Sequence, residues 1–275
     1  MRDFRQVDVF TDTPGLGNPV AVVLGADGLS EEAMRRFARW TNLSETTFVM
    51  APESPGADYR VRIFTPTDEL PFAGHPTLGT CHAWLESGHR PAGGEEIVQE
   101  CTAGLVRVRR IDGRLSFAAP PLVREGPVEE DVVQRAAREL GIERREIVDA
   151  QWADNGPGWV AVLLADAAAV LALRPSGVEL TVGVVGLHPP GSEAAVEVRA
   201  FSPMVGAALE DPVTGSLNAS IAPWLVASGR VAFPYVASQG AKLGRAGRVH
   251  LSRDEAGTVW VGGGTVSWIT GQVDL

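Results

Sequence analysis

The stretch RIFTPTDELPFAGHPTLGT, residues 62–80, decides the fold, because a related stretch follows about half a chain later. The second stretch reads FSPMVGAALEDPVTGS and covers residues 201–216. The matched positions at or just before their beginnings are Arg62, Phe64, Thr65 and Pro66 against Arg199, Phe201, Ser202 and Pro203, an offset of 137 positions. Further along, at an offset of 136, the matches are His75-Pro76 with Asp211-Pro212 and Gly79-Thr80 with Gly215-Ser216. Ordered matches through a strand, a loop and a helix indicate an internal duplication.

The duplication predicts two lobes of similar topology in an α/β chain. At 275 residues, the chain is near twice the usual domain size, so each lobe is long enough to bury its own apolar core. Pro120-Pro121 follows a predicted hairpin, and we place the lobe boundary there. Residues 1–121 are expected to form the N-terminal lobe and residues 122–275 the C-terminal lobe, with the last strand a candidate to return to the N-terminal lobe.

Local patterns predict the elements of both lobes. Helices are expected at residues 31–42, 76–86, 129–140 and 212–225. Ser30 is expected to cap the first helix, Pro76 and Pro212 to start the second and the fourth, and Pro223 to kink or end the fourth. Gly79 inside the second helix indicates close packing against neighbouring strands. Strands are expected at residues 5–10, 20–24, 59–64, 104–110, 115–118, 159–164, 197–201 and 259–261.

The composition disfavours several classes of function. The formal charge of -10 and the pI near 5.0 argue against nucleic acid as a partner, because phosphate binding needs a clustered cationic surface. Lys242 is the single lysine, so Schiff-base chemistry of the pyridoxal-phosphate type would depend on this one amine. The apolar runs are far shorter than the roughly 20 residues of a membrane helix, and the start of the chain lacks a signal-peptide pattern. We therefore expect a cytoplasmic protein without a membrane partner.

The two predicted helix starts are the best candidates for a binding site. Each places a polar residue directly before a proline, His75 in the first repeat and Asp211 in the second. A helix start has unpaired backbone N–H groups and a positive dipole end, which favour a carboxylate or an enolate. Two lobes related by a pseudo-twofold axis would aim both starts at one cleft. The candidates are therefore Gly74, His75, Asp211, Gly215 and Ser216, with ordinary capping residues as the alternative interpretation.

Five motifs resemble those of the phenazine-biosynthesis PhzF-like isomerases, which share the diaminopimelate epimerase fold. They are VDVFTDTPGLGNPVAVVL at residues 7–24, NLSETTFV at 42–49, the two stretches quoted above, and QGAKLGR at 239–245. The resemblance spans the whole chain. It implies two pseudo-symmetric lobes, each a curved, barrel-like sheet around a central helix. It also implies an isomerase without a cofactor that moves a proton within a small dihydro-hydroxyanthranilate ring.

The resemblance also implies the roles of individual residues. By motif match, Glu45 is the main acid/base group, and His75 and Asp211 lie beside the substrate. The implied substrate contacts are at Ser44, Gly74, Gly215 and Ser216. The residues themselves indicate that Glu45 lies between an amphipathic helix and a strand, where a carboxylate could move a proton between two carbons of a small, cyclic, carboxylate-bearing substrate; a surface carboxylate is the alternative. Its counterpart in the second repeat falls near residues 181–185, which contain no carboxylate, so the cleft is predicted to be chemically asymmetric.

Two alternative functions stay open. The first is a two-thiol amino-acid racemase or epimerase, because the same fold serves enzymes with one cysteine on each side of the substrate. Cys81 and Cys101 do not lie at the predicted helix starts, however, and buried thiols are the simpler interpretation. The second alternative is a non-catalytic small-molecule or protein-binding module. No metal site is expected, because His75 and His82 lie too far apart on one helix to share a zinc ion, and no nucleotide-binding motif occurs.

The expected assembly is a homodimer. The family that the chain resembles often forms homodimers. The chain also holds 7 Trp, too many to assign with assurance to two lobe cores. The sequence does not identify the interface.

Overall fold

The computed structural model describes residues 1–175, 177–203 and 210–275. These residues divide into two compact units. The first unit comprises Met1–Ala118 and Gly262–Leu275, and the second comprises Ala119–Val261. The division after Ala118 falls close to the expected boundary at Pro120-Pro121, and the end of the chain lies in the first unit. Residues 204–209, which belong to the second quoted stretch, lie outside the described residues.

The first unit interleaves short strands with two helices. Its strands ahead of the boundary are β1 (Arg2–Val9), β2 (Asn18–Val23), β3 (Glu45–Met50), β4 (Tyr59–Phe64), β5 (Glu69–Leu70), β6 (Ile97–Cys101), β7 (Gly104–Ile111) and β8 (Arg114–Ala118). Its helices are α1 (Glu31–Thr41) and α2 (Gly74–Glu86). The pair β1–β2 is antiparallel, β2–β3 is parallel and β3–β4 is antiparallel. Strand β4 then pairs antiparallel with β5 and parallel with β6, which continues into the antiparallel pairs β6–β7 and β7–β8.

The second unit contains strands β9 to β17, of which β17 runs across the unit boundary. The strands are β9 (Arg124–Pro127), β10 (Asp149–Asp154), β11 (Val160–Leu163), β12 (Val182–Leu187), β13 (Val196–Phe201), β14 (Glu210–Asp211), β15 (Tyr235–Gln239), β16 (Gly247–Arg253) and β17 (Val259–Gly263). The helices are α3 (Glu130–Leu140), α4 (Ala167–Ala172) and α5 (Gly215–Ala227). The last strand, β18 (Thr265–Val273), pairs antiparallel with β1 inside the first unit.

The order of strand pairs in the first unit recurs in the second. The pair β10–β11 is antiparallel, β11–β12 is parallel and β12–β13 is antiparallel, as are β1–β2, β2–β3 and β3–β4. Strand β13 then pairs antiparallel with β14 and parallel with β15, as β4 does with β5 and β6. The predicted duplication of one α/β topology is therefore confirmed.

Helix α2 is the central element of the first unit. It contacts β1, β2, β3, β6, β8 and β18, so the sheet of this unit surrounds the helix. A Cβ atom at Gly79 would lie 2.3 Å from Cγ1 of Val20, which confirms the predicted close packing at this glycine. Helix α5 has the same length, 13 residues, and most of its residues are buried in the second unit. Neither helix has a continuous polar face, because each buries residues around most of its circumference.

Local signals predicted the peripheral helices α1 and α3 well, whereas α4 was not predicted. Helix α1 begins after Ser30, whose hydroxyl accepts a hydrogen bond from the backbone N–H of Ala33 at 3.2 Å, as expected of a cap. It ends at Asn42, which adopts a left-handed conformation with φ 54°. Helix α3 begins one residue later than predicted. No helix among the described residues combines the length and the apolar character that crossing a membrane requires.

The central helices begin at other residues than predicted. Helix α2 begins at Gly74, so Pro76 is the third residue of its first turn, where the missing N–H has no helical acceptor in any case. Helix α5 begins at Gly215, and Pro212 lies outside it. Pro223 lies within α5, which continues to Ala227, so the expectation that this proline could end the helix is wrong. The buried apolar residues on both sides of Pro223 hold the last turn in place.

The repeat must therefore be aligned with a gap. Phe64 ends β4 and Phe201 ends β13, but β5 begins five positions after Phe64, at Glu69, whereas β14 begins nine positions after Phe201, at Glu210, which amounts to an insertion in the second repeat. Because of this insertion, Leu70-Pro71 corresponds to Asp211-Pro212, and the counterpart of His75 is Ser216. The predicted match of His75 with Asp211 is wrong. It was based on the proline that comes after each of these residues, and the two prolines occupy different places in the fold.

An arginine–glutamate pair marks the same place in both units. Arg62 contacts Glu69 through Nε at 2.7 Å and Nη2 at 2.6 Å, and Arg199 contacts Glu210 through the same atoms at 2.9 and 2.7 Å. The guanidinium carbons of Arg62 and Arg199 lie 5.0 and 4.9 Å from the ring centres of Phe64 and Phe201. These pairs fasten β5 to β4 and β14 to β13, just before each central helix.

Candidate active site

Glu45 is the first residue of β3, close behind helix α1. It pairs in register with Val20 of the parallel strand β2, and the residues of β3 that follow it are buried. Its side chain is 15% exposed. Ser44, which directly precedes it, is partly buried. The Glu45 carboxylate therefore lies at the edge of the apolar core, shielded from most water and still within reach of a small ligand.

The Glu45 carboxylate meets the imidazole of His75. Oε2 of Glu45 lies 3.2 Å from Nε2 of His75, whose side chain is 6% exposed. His75 is the second residue of α2, so the pair joins the start of a strand to the start of the central helix. Two residues that the sequence analysis selected for separate reasons are thus in contact.

His75 is neutral at pH 7. Burial lowers its pKa to about 3, while a hydrogen bond with the backbone of Pro19 acts in the opposite direction. Its Nδ1 also lies 3.3 Å from Nδ2 of Asn18. The one ring proton of the neutral imidazole lies on Nε2, facing the Glu45 carboxylate, if Nδ1 accepts from Asn18, and on Nδ1 if Nδ1 donates to the Pro19 carbonyl.

Asn18 is a site residue that the sequence analysis did not single out. It begins β2, and its side chain is fully buried. Buried asparagine is uncommon without a hydrogen-bonding role, and here the role is to hold the His75 ring. The residue lies inside the VDVFTDTPGLGNPVAVVL motif, so its position was available, but only its contact with His75 gives it a function.

The start of α2 offers backbone donors beside this pair. Gly74 is the first helical residue and is buried, and Ala73, in the capping position, has no side-chain oxygen. The first backbone N–H groups of a helix have no acceptor within the helix, and they carry its positive dipole end. The predicted substrate contact at Gly74 therefore remains chemically reasonable, although Pro76 removes one donor from the first turn.

In the second unit, Asp211 is linked to the start of α5. Its Oδ2 accepts a hydrogen bond of 2.6 Å from the hydroxyl of Thr214. Thr214 occupies the capping position of α5, and Gly215 and Ser216 are the first two helical residues. Asp211 itself lies in β14, four positions before the helix, instead of at the helix start as predicted.

Ser216 is fixed by two side chains that the sequence analysis missed. Nε1 of Trp159 donates to its hydroxyl oxygen at 3.1 Å, and Nδ2 of Asn155 donates to its backbone carbonyl at 3.0 Å. These partners lie 57 and 61 positions away in the chain, so no local pattern could identify them. Because the Ser216 oxygen accepts from Trp159, its own proton can point to a ligand.

The candidate residues form two groups, one in each unit. Those in the first unit are Ser44, Glu45, Gly74 and His75, and those in the second are Asp211, Gly215 and Ser216. Phe64 pairs with Thr46, and Phe201 pairs with Val182, so the counterpart of Glu45 is the preceding residue, Thr181. Its hydroxyl lies 3.2 Å from that of Ser202. The second unit thus has no carboxylate at this position, as predicted.

The two cysteines do not resemble a two-thiol catalytic pair. Cys81 is the eighth residue of α2, and Cys101 ends β6, so neither lies at a helix start. Burial raises the pKa of Cys81 to about 12, with a hydrogen bond to Tyr59 acting in the opposite direction. Burial also raises the pKa of Cys101. Because proton abstraction by a thiol requires its thiolate, both positions disfavour the racemase alternative.

A metal site has no structural support in residues 1–175, 177–203 and 210–275. No group of three or more His, Cys, Asp or Glu side chains in these ranges is placed to hold a metal ion. The expectation that the reaction needs no cofactor stays a prediction.

Three kinds of comparison with known proteins point to the same family. Residues 7–271 match the model of the PhzC-PhzF family, described as phenazine biosynthesis-like protein. Antisense-enhancing sequence 1 of Schizosaccharomyces pombe is 37% identical over 98% of this chain and 97% of that protein. The trans-2,3-dihydro-3-hydroxyanthranilate isomerase of Pseudomonas aeruginosa is 34% identical over 94% of this chain and 92% of that protein. A Bacillus anthracis phenazine biosynthesis protein of the PhzF family has the same fold, with a TM-score of 0.82 at 24% identity over 100% of this chain and 99% of that one.

Proposed function

The chain belongs to the PhzC-PhzF family of phenazine biosynthesis-like proteins and is an isomerase, and we propose that it moves a proton within a small, cyclic, carboxylate-bearing substrate. The substrate class is that of trans-2,3-dihydro-3-hydroxyanthranilate, which the Pseudomonas aeruginosa relative isomerises by name. One observation carries the proposal: Oε2 of Glu45 lies 3.2 Å from Nε2 of a buried histidine, at a partly shielded position.

The first unit supplies the group that moves the proton. Glu45 takes a proton from one carbon of the ring, and the electron pair of that C–H bond shifts along the conjugated double bonds to a second carbon. The same carboxyl group returns the proton there, so substrate and product have the same atoms and no oxidant is needed. Neutral His75 can donate or accept at Nε2, depending on its tautomer, so it supports Glu45 in both of its protonation states.

The second unit supplies groups that suit an anion. We assign the substrate carboxylate to the start of α5, where the backbone N–H groups of Gly215 and Ser216 and the Ser216 hydroxyl are donors. Asp211 orients a polar group of the substrate or relays the proton. Ser44 and Gly74 make further contacts with the substrate beside Glu45.

The proposal can be tested with trans-2,3-dihydro-3-hydroxyanthranilate in D₂O, followed by NMR. The wild-type protein should form an isomer with deuterium at the carbon that receives the proton. Glu45→Gln should form it slower by a factor on the order of 10² to 10⁴, because the amide keeps the shape of the side chain but cannot take up a proton. Glu32→Gln, at an exposed position of α1, is the matched control and should behave as wild type.

Two results would count against the proposal. If Glu45→Gln formed the isomer at the wild-type rate, Glu45 would not be the acid/base group. If isothermal titration showed that the wild-type protein binds the compound and NMR showed no conversion, the proposed substrate class would be wrong and the binding-module alternative would gain support.

The proposal includes a homodimer as the working assembly. Light scattering at micromolar concentration should give about twice the chain mass of 29.1 kDa. A monomer at that concentration would contradict this part of the proposal without affecting the assignment of Glu45.

A further inference from the structure

Gln239 is a buried amide that the proposed reaction does not use. It ends β15, begins the QGAKLGR motif, and is 1% exposed. Val196 pairs with Ala237, and Tyr59 pairs with Gln99 at the equivalent place in the first unit. Two positions further along each strand, Gln239 therefore corresponds to Cys101. At this position the first unit has a cysteine in place of the amide.

Both polar atoms of the Gln239 side-chain amide form hydrogen bonds with residues around the start of α5. Its Oε1 accepts from the backbone N–H of Thr214 at 3.0 Å and from Nδ2 of Asn218 at 3.0 Å. Its Nε2 donates to the Thr214 hydroxyl at 2.9 Å and to the backbone carbonyl of Asp211 at 3.1 Å. Every hydrogen-bonding position of the amide is thus occupied.

Backbone groups fix the direction of each bond in this network. A backbone N–H only donates, so the Gln239 atom facing Thr214 N must be the oxygen. A backbone carbonyl only accepts, so the atom facing the Asp211 carbonyl must be the nitrogen. The Asn218 amide is fixed in the same way, since its Nδ2 also donates to the Thr214 carbonyl at 2.9 Å. The orientation of Gln239 therefore follows from contacts that cannot be reversed.

The fixed amide determines what the Thr214 hydroxyl does. The hydroxyl oxygen accepts a hydrogen bond from Nε2 of Gln239, so its own single proton is available for the other neighbour. That neighbour is Oδ2 of Asp211, at 2.6 Å. A short O–H···O contact of this length is typical of a hydroxyl that donates to a carboxylate.

We propose that Gln239 is a positioning residue that fixes the Thr214 hydroxyl as a donor to Asp211, and thereby holds the orientation and the ionised form of that carboxylate. A hydrogen bond donated to a carboxylate favours its charged form. The proposal rests on the proposed function for the part that Asp211 plays in the reaction, but the hydrogen-bond arrangement can be tested in the ligand-free protein.

Asp211 is the one titratable group in the network. Charged or titratable side chains on the elements around it are Glu197 and Arg199 on β13, Glu210 on β14, Tyr235 on β15, Lys242 and Arg245 after β15, and Arg248, His250 and Arg253 on β16. All of them are retained in the variants below, so their contributions cancel when the variants are compared with the wild type.

The first measurement follows Asp211 by NMR in protein labelled with ¹³C at the aspartate carboxyl carbons. The Asp211 signal is assigned by its absence in Asp211→Asn. In Thr214→Val, which lacks the hydroxyl, the midpoint of the Asp211 titration should move to higher pH, whereas Thr214→Ser should match the wild type. In Gln239→Glu, an oxygen replaces Nε2 and attracts the Thr214 proton, so the midpoint should also rise.

A double variant separates this effect from the added charge of Gln239→Glu. In the Thr214→Val background only the charge effect of Gln239→Glu remains, so its shift should be smaller than in the wild-type background. Equal shifts in the two backgrounds would overturn the proposal. If Gln239→Glu does not fold, Gln239→Met, which removes the donor without adding a charge, should raise the midpoint by a smaller amount, and an unchanged midpoint there would overturn the proposal.

Gln99→Met is the matched control, because Gln99 is a fully buried amide on β6 that bonds to Thr77 and Tyr59 in the first unit. It should leave the Asp211 midpoint unchanged. The same proteins are assayed with trans-2,3-dihydro-3-hydroxyanthranilate, where the acidic limb of the kcat/KM profile should move with the midpoint. Shifted midpoints without any wild-type turnover would support this inference and contradict the proposed substrate, whereas turnover with unshifted midpoints would contradict this inference alone.

Discussion

The starts of α2 and α5 occupy equivalent places in the two copies of the repeat, but their side chains differ in kind. At the start of α2, Glu45 and His75 form an ionisable pair with 3.2 Å between Oε2 and Nε2. In the second unit, Thr181 and Ser216 stand at the corresponding positions, and neither hydroxyl ionises near neutral pH. The duplicated backbone therefore sets where functional groups lie, and substitution in one copy sets what they do.

The two arginine–glutamate pairs consist of the same residue types, but they differ in how far they are buried. The Arg62 and Glu69 side chains are 24% and 21% exposed, and those of Arg199 and Glu210 are 6% and 11% exposed. Arg199 also donates to the backbone carbonyls of Val170 and Leu173. Because a buried charge that loses its partner is costly, the two pairs should respond very differently to the same substitution.

The largest expected effect comes from removing the arginine of the buried pair. Arg199→Met leaves Glu210 without its partner and should lower the free energy of unfolding by about 3–5 kcal/mol. Arg62→Met should cost about 1 kcal/mol or less, because water and Arg35 remain near Glu69. Urea unfolding at pH 7 measures both. Equal losses would show that burial does not distinguish the pairs.

The pH dependence of stability should distinguish His75 from its counterpart Ser216. The folded-state pKa of His75, about 3, lies below its ordinary value of 6.5, so between these values the unfolded chain binds a proton that the folded chain does not. Stability should therefore increase as pH rises through this window, by at most about 1.4 kcal/mol per pH unit from this group.

Urea unfolding at several pH values between about 4 and 6.5 measures this slope. His75→Gln should show a smaller slope than the wild type, whereas Ser216→Ala should keep the wild-type slope. A slope that stays the same in His75→Gln would mean that this histidine is not held neutral by burial.

A smaller difference in stability is expected between substitutions in the middle of α2 and in the middle of α5. Gly79 corresponds to Ser220, since α2 begins at Gly74 and α5 at Gly215. Gly79→Ala would place Cβ 2.3 Å from Cγ1 of Val20 and should cost about 1–3 kcal/mol through overpacking. Ser220→Ala loses one hydrogen bond to the Leu217 carbonyl and should cost about 1 kcal/mol. A Gly79→Ala protein as stable as wild type in urea would show that α2 can shift within its sheet.

Much of the fold could be predicted because its signals are local. The strand at residues 59–64 was predicted with its observed bounds, because its apolar residues Tyr59, Val61 and Ile63 alternate with arginines. The cap at Ser30 was predicted from residues within one helical turn. The start of α5 was not, because the insertion before β14 shifts the alignment, and two prolines with different structural roles suggested the wrong match.

The site was predictable only in part, because only some of its residues carry a local signal. Glu45 and His75 were selected from motifs, and their contact follows from the packing of α2 against β3. Asn18, Trp159 and Gln239 act through hydrogen bonds to residues far away in the chain, and their own neighbours carry no sign of it. The roles of such residues can be recognised only when the positions of their hydrogen-bond partners are known.

The claim that one copy of the repeat carries the proton-transfer group is tested most directly by steady-state kinetics on trans-2,3-dihydro-3-hydroxyanthranilate. Glu45→Gln should lower kcat by a factor on the order of 10² to 10⁴ and leave KM within about threefold of the wild-type value, because it removes the base and preserves the shape. Thr181→Val, at the counterpart position, should leave kcat within about threefold of wild type. A Glu45→Gln protein with wild-type kcat, or an equal loss in Thr181→Val, would contradict the account.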